Sequence, residues 1–84
     1  MNKIDSLKKK IIYRSEYRGI KEMDILLGKF VKKYIHTFTY SDLLDLYTIL
    51  EKDDDDIYKW YSGPDKISII KDNNVSRLLK KFKI

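Results

Sequence analysis

The sequence contains no cysteine, a single proline and only three glycines among its 84 residues. Without cysteine the chain can form no disulfide framework, no thiolate metal site and no cysteine nucleophile. So few prolines and glycines leave little to divide the chain, and neither a linker nor an internal repeat is visible. We therefore expect a single domain over residues 1–84, whose thin core is too small to enclose a large cofactor.

Long hydrophobic runs are also missing. No apolar stretch approaches the ~20 residues that a membrane-spanning helix needs, so we expect no insertion into a membrane. Residues 1–8 show neither the continuous apolar stretch of a signal peptide nor the Arg-rich, acid-poor composition of a transit peptide. These absences predict a cytoplasmic protein or the mature form of an organelle protein.

The charged residues are numerous but unevenly distributed. The chain has 18 basic and 13 acidic residues and a net charge of +5, which would suit a nucleic-acid-binding protein. However, residues 41–65 carry eight acidic groups and two basic ones, and such an acidic block repels phosphates. We favour a lysine-rich surface that serves solubility, and keep a small basic helical protein that binds nucleic acid, or that acts as an adaptor for an unrelated partner, as the alternative.

Apolar residues recur at helical spacing through most of the chain, which predicts an all-α bundle of four or five short helices. Thr39 and Asp42 predict the capped start of a third helix, and Asp53 to Asp56 the start of a fourth. We expect Gly19 to end the first helix in the left-handed conformation, and residues 67–70 to be an extended connector. The predicted core positions are Ile4, Leu7, Ile11, Met23, Leu26, Leu27, Phe30, Tyr34, Leu43, Leu46, Tyr47, Leu50, Ile57, Trp60, Val75, Leu78, Leu79 and Phe82.

Residue patterns typical of enzymes and metal sites are absent. There is no Gly-rich phosphate loop or dinucleotide fingerprint, and the lone His36 is more typical of a surface or capping residue. Asp53 to Asp56 lack the alternation and the glycine of a calcium loop, so a helix N-terminus is the preferred interpretation. Glu22 and Asp24 point in different directions on a helix, so they do not form a catalytic pair. We expect no enzymatic activity.

Residues 13–24 stand out, because three acids, three bases and two tyrosines surround Gly19. A glycine lets another backbone approach closely. Arg18 and Glu22 are four residues apart, and two interpretations are open. They could form a salt bridge between two helices, or a charged docking patch in which Arg18 offers its two-pronged guanidinium.

Aromatic residues on the fourth helix are open to the same two interpretations. We expect Trp60 in the core of so small a domain. Tyr58 and Tyr61 could instead be exposed, and tyrosine is enriched where proteins bind one another. Tyr61 is therefore a candidate partner-binding residue.

The run Arg18-Gly19-x-x-Glu22-x-Asp24 resembles the RGxxE signature of the succinate dehydrogenase assembly factor 2 family. The segments on either side, residues 13–15 and 21–30, are similar to those of alphaproteobacterial members. The acidic-then-Trp segment over residues 50–60 is also similar to the family, as are the apolar positions of the last helix. Many members have a second basic residue before the Arg-Gly pair, where this chain has Tyr17; Arg14 could supply that charge.

The resemblance implies a five-helix bundle that binds the flavoprotein subunit of succinate dehydrogenase and promotes covalent attachment of FAD to it. Some bacterial members also serve the fumarate reductase flavoprotein. The chain would bind no cofactor itself and would act on the FAD of its partner. We expect a monomeric protein of the bacterial cytoplasm that binds no nucleic acid. The implied contact residues are Arg18, Gly19 and Glu22, to which we add Arg14, Asp24 and Tyr61.

Overall fold

The computed structural model describes residues 2–63 and 69–83, which form five helices and no strand. The helices are α1 (Lys3–Ser15), α2 (Lys21–Tyr34), α3 (Tyr40–Leu50), α4 (Asp54–Ser62) and α5 (Asn74–Lys81). The prediction of an all-α fold with five short helices is confirmed. Within the described ranges no helix combines the length and the apolar character that a membrane crossing requires.

The end of α1 differs from the prediction. The helix ends at Ser15, whose buried hydroxyl donates to the carbonyl of Ile12, one turn earlier than expected. The left-handed residue is Tyr17, with φ of 58°, whereas no described glycine has a positive φ. The prediction that Gly19 ends the helix in the left-handed conformation is therefore wrong, because the chain has already turned before it reaches Gly19.

Capping at the later helices follows the sequence more closely. The Thr39 hydroxyl accepts from the backbone of Asp42, and the Asp42 carboxylate accepts from the backbone of Thr39, both at 3.2 Å. This confirms the predicted start of α3. A second reciprocal cap, between Asn73 and Ser76, starts α5 and was not predicted. Of the predicted 67–70 connector, residues 67 and 68 lie outside the described residues, while Ile70 is buried in a bend.

The buried side chains form one hydrophobic cluster to which all five helices contribute. Helix α1 packs against α2 and α3, α3 packs against α5, and α2 packs against α4. Most predicted core positions are buried, but Ile4 is exposed because the first turn of α1 extends beyond the cluster. Tyr34, Tyr47, Leu78 and Phe82 are only partly buried against it. The core residues that the periodicity missed are Val31, Ile35, Ile49 and Ile70.

Candidate functional site

The loop between α1 and α2 is fastened to the α3–α4 region by Arg18. Its Nε donates to Asp54 Oδ1 at 2.6 Å. Its Nη1 donates to the carbonyls of Arg14 and Leu50 at 2.8 and 2.7 Å, and its Nη2 to the carbonyl of Lys52 at 2.7 Å. Four of the five N–H groups of the guanidinium are thus engaged inside the chain.

Asp54 completes this arrangement from the first position of α4. Its second carboxylate oxygen accepts from the backbone N–H of Ile20 at 2.9 Å, at the residue that precedes α2. The side chains of Arg18 and Asp54 are only 10% and 11% exposed, so solvent screens their attraction weakly. The pair therefore sets the position of the loop relative to α3 and α4.

Glu22 does not pair with Arg18. It lies exposed in the first turn of α2, and its carboxylate has no hydrogen bond or ion pair to any described residue. The interpretation of an Arg18–Glu22 salt bridge is wrong, because Arg18 turns inward to Asp54. Asp24 is half-buried and lines a separate shallow groove of about 240 Å³ along α2.

Gly19 is exposed beside the ion pair. A Cβ built on it would meet Asp54 Oδ2 at 3.6 Å, which is ordinary van der Waals contact. Neither its backbone conformation nor its immediate space therefore requires a glycine, although a long cationic side chain would compete with Arg18 for Asp54. The predicted approach of another backbone at Gly19 stays a prediction.

An open groove of about 440 Å³ lies between the loop and the α3–α4 turn. It brings together three of the six predicted site residues, namely Arg14, Arg18 and Gly19. Glu22 and Asp24 lie outside it, on α2. The residues that line the groove are Tyr13, Arg14, Glu16, Tyr17, Arg18, Gly19 and Leu50 through Asp54.

Tyr61 lies apart from this groove. It is seven positions beyond Asp54 on α4, which corresponds to about 10 Å along the helix. Its hydroxyl donates to the carbonyl of Phe82, and the Nζ of Lys83 lies 5.4 Å from its ring centroid. The structure therefore gives Tyr61 an internal contact, and its predicted role in partner binding stays untested.

Eight of the eleven residues that line the groove were not predicted as site residues, and Asp54, Tyr13 and Tyr17 show why. The position of Asp54 within an acidic run indicated only a helix N-terminus, because its bond to Arg18 joins residues 36 positions apart. Tyr13 and Tyr17 were visible as part of the unusual segment, yet the spacing did not show that both rings are exposed at its edge.

Fold and site together define a small helical protein with an open surface groove beside a firmly held loop. Residues 9–83 match the protein family described as "flavinator of succinate dehydrogenase". Since the match covers nearly the whole chain, the chain belongs to this family, and the predicted family is confirmed.

Several curated relatives carry the name "succinate dehydrogenase assembly factor 2, mitochondrial". The one from Dictyostelium discoideum is 42% identical over 60 residues, which is 71% of this chain and 43% of the relative. That from Meyerozyma guilliermondii is 31% identical over 92% of this chain and 60% of the relative. That from Candida glabrata is 35% identical over 94% of this chain and 52% of the relative. The chain thus spans about half the length of these relatives.

The relatives overturn one prediction. All three are eukaryotic proteins with "mitochondrial" in their names, so the assignment to the bacterial cytoplasm is wrong. Residues 1–8 lack a transit-peptide pattern, and this absence favoured the cytoplasm over the other interpretation, the mature form of an organelle protein. No solved structure gave a significant match to the chain.

Proposed function

We propose that this chain is an assembly factor that binds the flavoprotein subunit of succinate dehydrogenase and promotes covalent attachment of FAD to it. The observation that carries the proposal is the family match over residues 9–83. Three of the predicted contact residues line one open groove, which supports the proposal that this surface binds another protein. We place the protein in mitochondria, as the names of its relatives indicate.

The covalent bond would form by chemistry within the flavoprotein, between one of its histidines and the flavin. The chain would bind a flavin-loaded, incompletely matured conformation and so favour the geometry in which that step is fast. This is a population shift, in which the helper acts only through its preference for one state of its partner. We therefore propose that the chain is not itself an enzyme.

FAD would stay with the partner. Outside the Arg18–Asp54 pair, Glu16, Glu51 and Asp53 outnumber Arg14 and Lys52 in the groove, and this net negative charge would repel the diphosphate of the cofactor. Arg18, which could otherwise bind a phosphate, already gives four of its N–H groups to the chain itself. The same carboxylates disfavour nucleic acid, so we propose that the chain binds none.

The predicted contact residues divide into two roles in this proposal. Glu22 is exposed and unengaged by the described residues, so it is available to accept hydrogen bonds from the flavoprotein. Gly19, Arg14 and Asp24 would form the surroundings of that contact. Arg18 would act as a positioning residue, because its bonds to Asp54 and to three backbone carbonyls hold the loop. We propose that a single copy of the chain does this, with the fumarate reductase flavoprotein as a further client.

The test is co-expression with the cognate flavoprotein subunit in cells that lack their own assembly factor. Covalently bound flavin is read by in-gel fluorescence after denaturation. We expect a signal that depends on this chain and falls with Glu22→Ala, while Lys21→Ala, an exposed neighbour, leaves it unchanged. Equal flavin fluorescence with and without the chain would refute the proposed function.

A further inference from the structure

Two tyrosine rings stand at the edge of the groove beside Arg18. Tyr13, in the last turn of α1, is 70% exposed, and Tyr17, in the loop, is 82% exposed. Their ring centroids lie 6.1 Å apart with the planes tilted by 48°. Tyrosine supplies a large contact area with little conformational entropy to lose, which is why it is enriched at binding hot spots. Neither ring has a role in the function proposed above for the other groove residues.

The backbone at Tyr17 is held in an unfavourable conformation. Its φ of 58° lies in the left-handed region, which costs an L-residue free energy and is found most often in glycine and asparagine. Neighbouring bonds hold it there. The backbone N–H of Glu16 donates to the carbonyl of Tyr13 before it, and Arg18 is fastened to Asp54 after it. The backbone that carries the ring is thus held in place, so binding a partner would cost little backbone entropy at this loop.

Charge around the groove identifies the occupant. The carboxylates of Glu16, Glu51 and Asp53 have no hydrogen bond or ion pair to any described residue. The guanidinium of Arg18 is engaged by the chain, and that of Arg14 lies 5.8 Å from the ring centroid of Tyr47. Outside the Arg18–Asp54 pair, the three carboxylates outnumber the basic side chains of Arg14 and Lys52, and this negative charge beside electron-rich ring faces attracts a cation.

We propose that this aromatic-walled groove binds an arginine side chain of the flavoprotein subunit. Its guanidinium would lie against the rings of Tyr13 and Tyr17 and donate to the carboxylates that line the groove. Arginine fits better than lysine because its planar group both stacks on aromatic rings and pairs with carboxylates in a fork. This inference rests on the proposed function, since it names the chemistry by which the flavoprotein is recognised.

The experiment measures the dissociation constant of the chain and the purified, FAD-loaded flavoprotein subunit by isothermal titration calorimetry at several salt concentrations. Tyr17→Asn removes the ring yet keeps a residue that tolerates the left-handed conformation, and Tyr17→Phe keeps the ring. We expect Tyr17→Asn to weaken binding about 10–30-fold and Tyr17→Phe less than about threefold. Tyr40→Ala is the matched control, because Tyr40 is also exposed but lies at the far end of α3, and it should change binding less than about twofold.

A second variant tests the charge. Glu51→Gln combined with Asp53→Asn removes two carboxylates, and asparagine is a good residue at the N-cap position of α4. We expect binding to weaken about 3–10-fold and its salt dependence to flatten. Far-ultraviolet circular dichroism confirms that each variant is folded.

The outcomes separate the two proposals. If the unchanged chain does not bind the flavoprotein at all, the proposed function fails and this inference fails with it. If the unchanged chain binds but Tyr17→Asn binds equally well, only the proposal that the aromatic-walled groove binds the flavoprotein is refuted. Loss of binding in Tyr17→Asn without any effect of the charge variant would overturn the arginine as occupant.

Discussion

Two arginine–aspartate ion pairs occur among the described residues, and they differ mainly in their exposure to solvent. Arg18 and Asp54 are 2.6 Å apart with side chains 10% and 11% exposed, whereas Arg77 and Asp72 are 3.0 Å apart and 62% and 78% exposed. The first pair joins residues 36 positions apart, the second residues five apart. The same two residue types therefore fasten a loop to the bundle in one place and form an exposed ion pair on its surface in the other.

The largest effect is expected at the shielded pair. Arg18→Ala removes the cation from the shielded Asp54 carboxylate, which keeps only the backbone N–H of Ile20, and it removes a donor from the part-buried carbonyl of Leu50. We expect the free energy of unfolding to fall by about 3 kcal/mol. Urea denaturation followed by circular dichroism measures this without adding salt.

Arg18→Lys is the control for that variant. It keeps the positive charge, but one ammonium group cannot reproduce the fork that reaches Asp54 and three carbonyls at once. Its stability should lie between the unchanged chain and Arg18→Ala. A loss below about 1 kcal/mol in Arg18→Ala would mean that the pair behaves like an exposed one.

The contrast between the pairs also shows which features of the fold and of the candidate site could be predicted from the sequence. Helices and caps depend on residues three or four apart, so apolar spacing and the Thr39–Asp42 pair were enough to predict them. Spacing likewise suggested a local partner for Arg18, namely Glu22. The actual partner lies on α4, and only the packing of the bundle brings the two together. The left-handed conformation of Tyr17 depends on that packing too. The sequence alone therefore assigned this conformation to Gly19, two residues later.

An intermediate effect is expected at Tyr17, where the shielded pair helps to hold a strained backbone. Tyr17→Gly removes the cost of the left-handed conformation, although glycine also gains freedom in the unfolded chain. We expect the free energy of unfolding to rise by about 0.5–1 kcal/mol, with a matching rise in melting temperature. In the Arg18→Ala background the gain should shrink if the loop has already relaxed.

The opposite result at Tyr17 would be informative. A lower stability of Tyr17→Gly, with Tyr17→Phe unchanged, would mean that contacts of the ring outweigh the backbone cost. The ring would then belong to the fold, although it is 82% exposed. Such a result would weaken the assignment of Tyr17 to a partner.

The smallest effect is expected at the exposed pair. Arg77→Ala should lower the free energy of unfolding by only about 0.2–0.5 kcal/mol, because solvent already screens the attraction and the two side chains lose freedom when they pair.

A double-mutant cycle with Asp72→Ala isolates the pair from the change in helix propensity at position 77. The coupling should fall at about 0.5 M NaCl, because the attraction between exposed charges weakens when the Debye length shortens to about 4 Å. The corresponding cycle at Arg18 and Asp54 should keep most of its coupling in the same salt, because burial and backbone acceptors, not long-range attraction, hold that arginine. Equal salt sensitivity of the two cycles would show that exposure does not separate them.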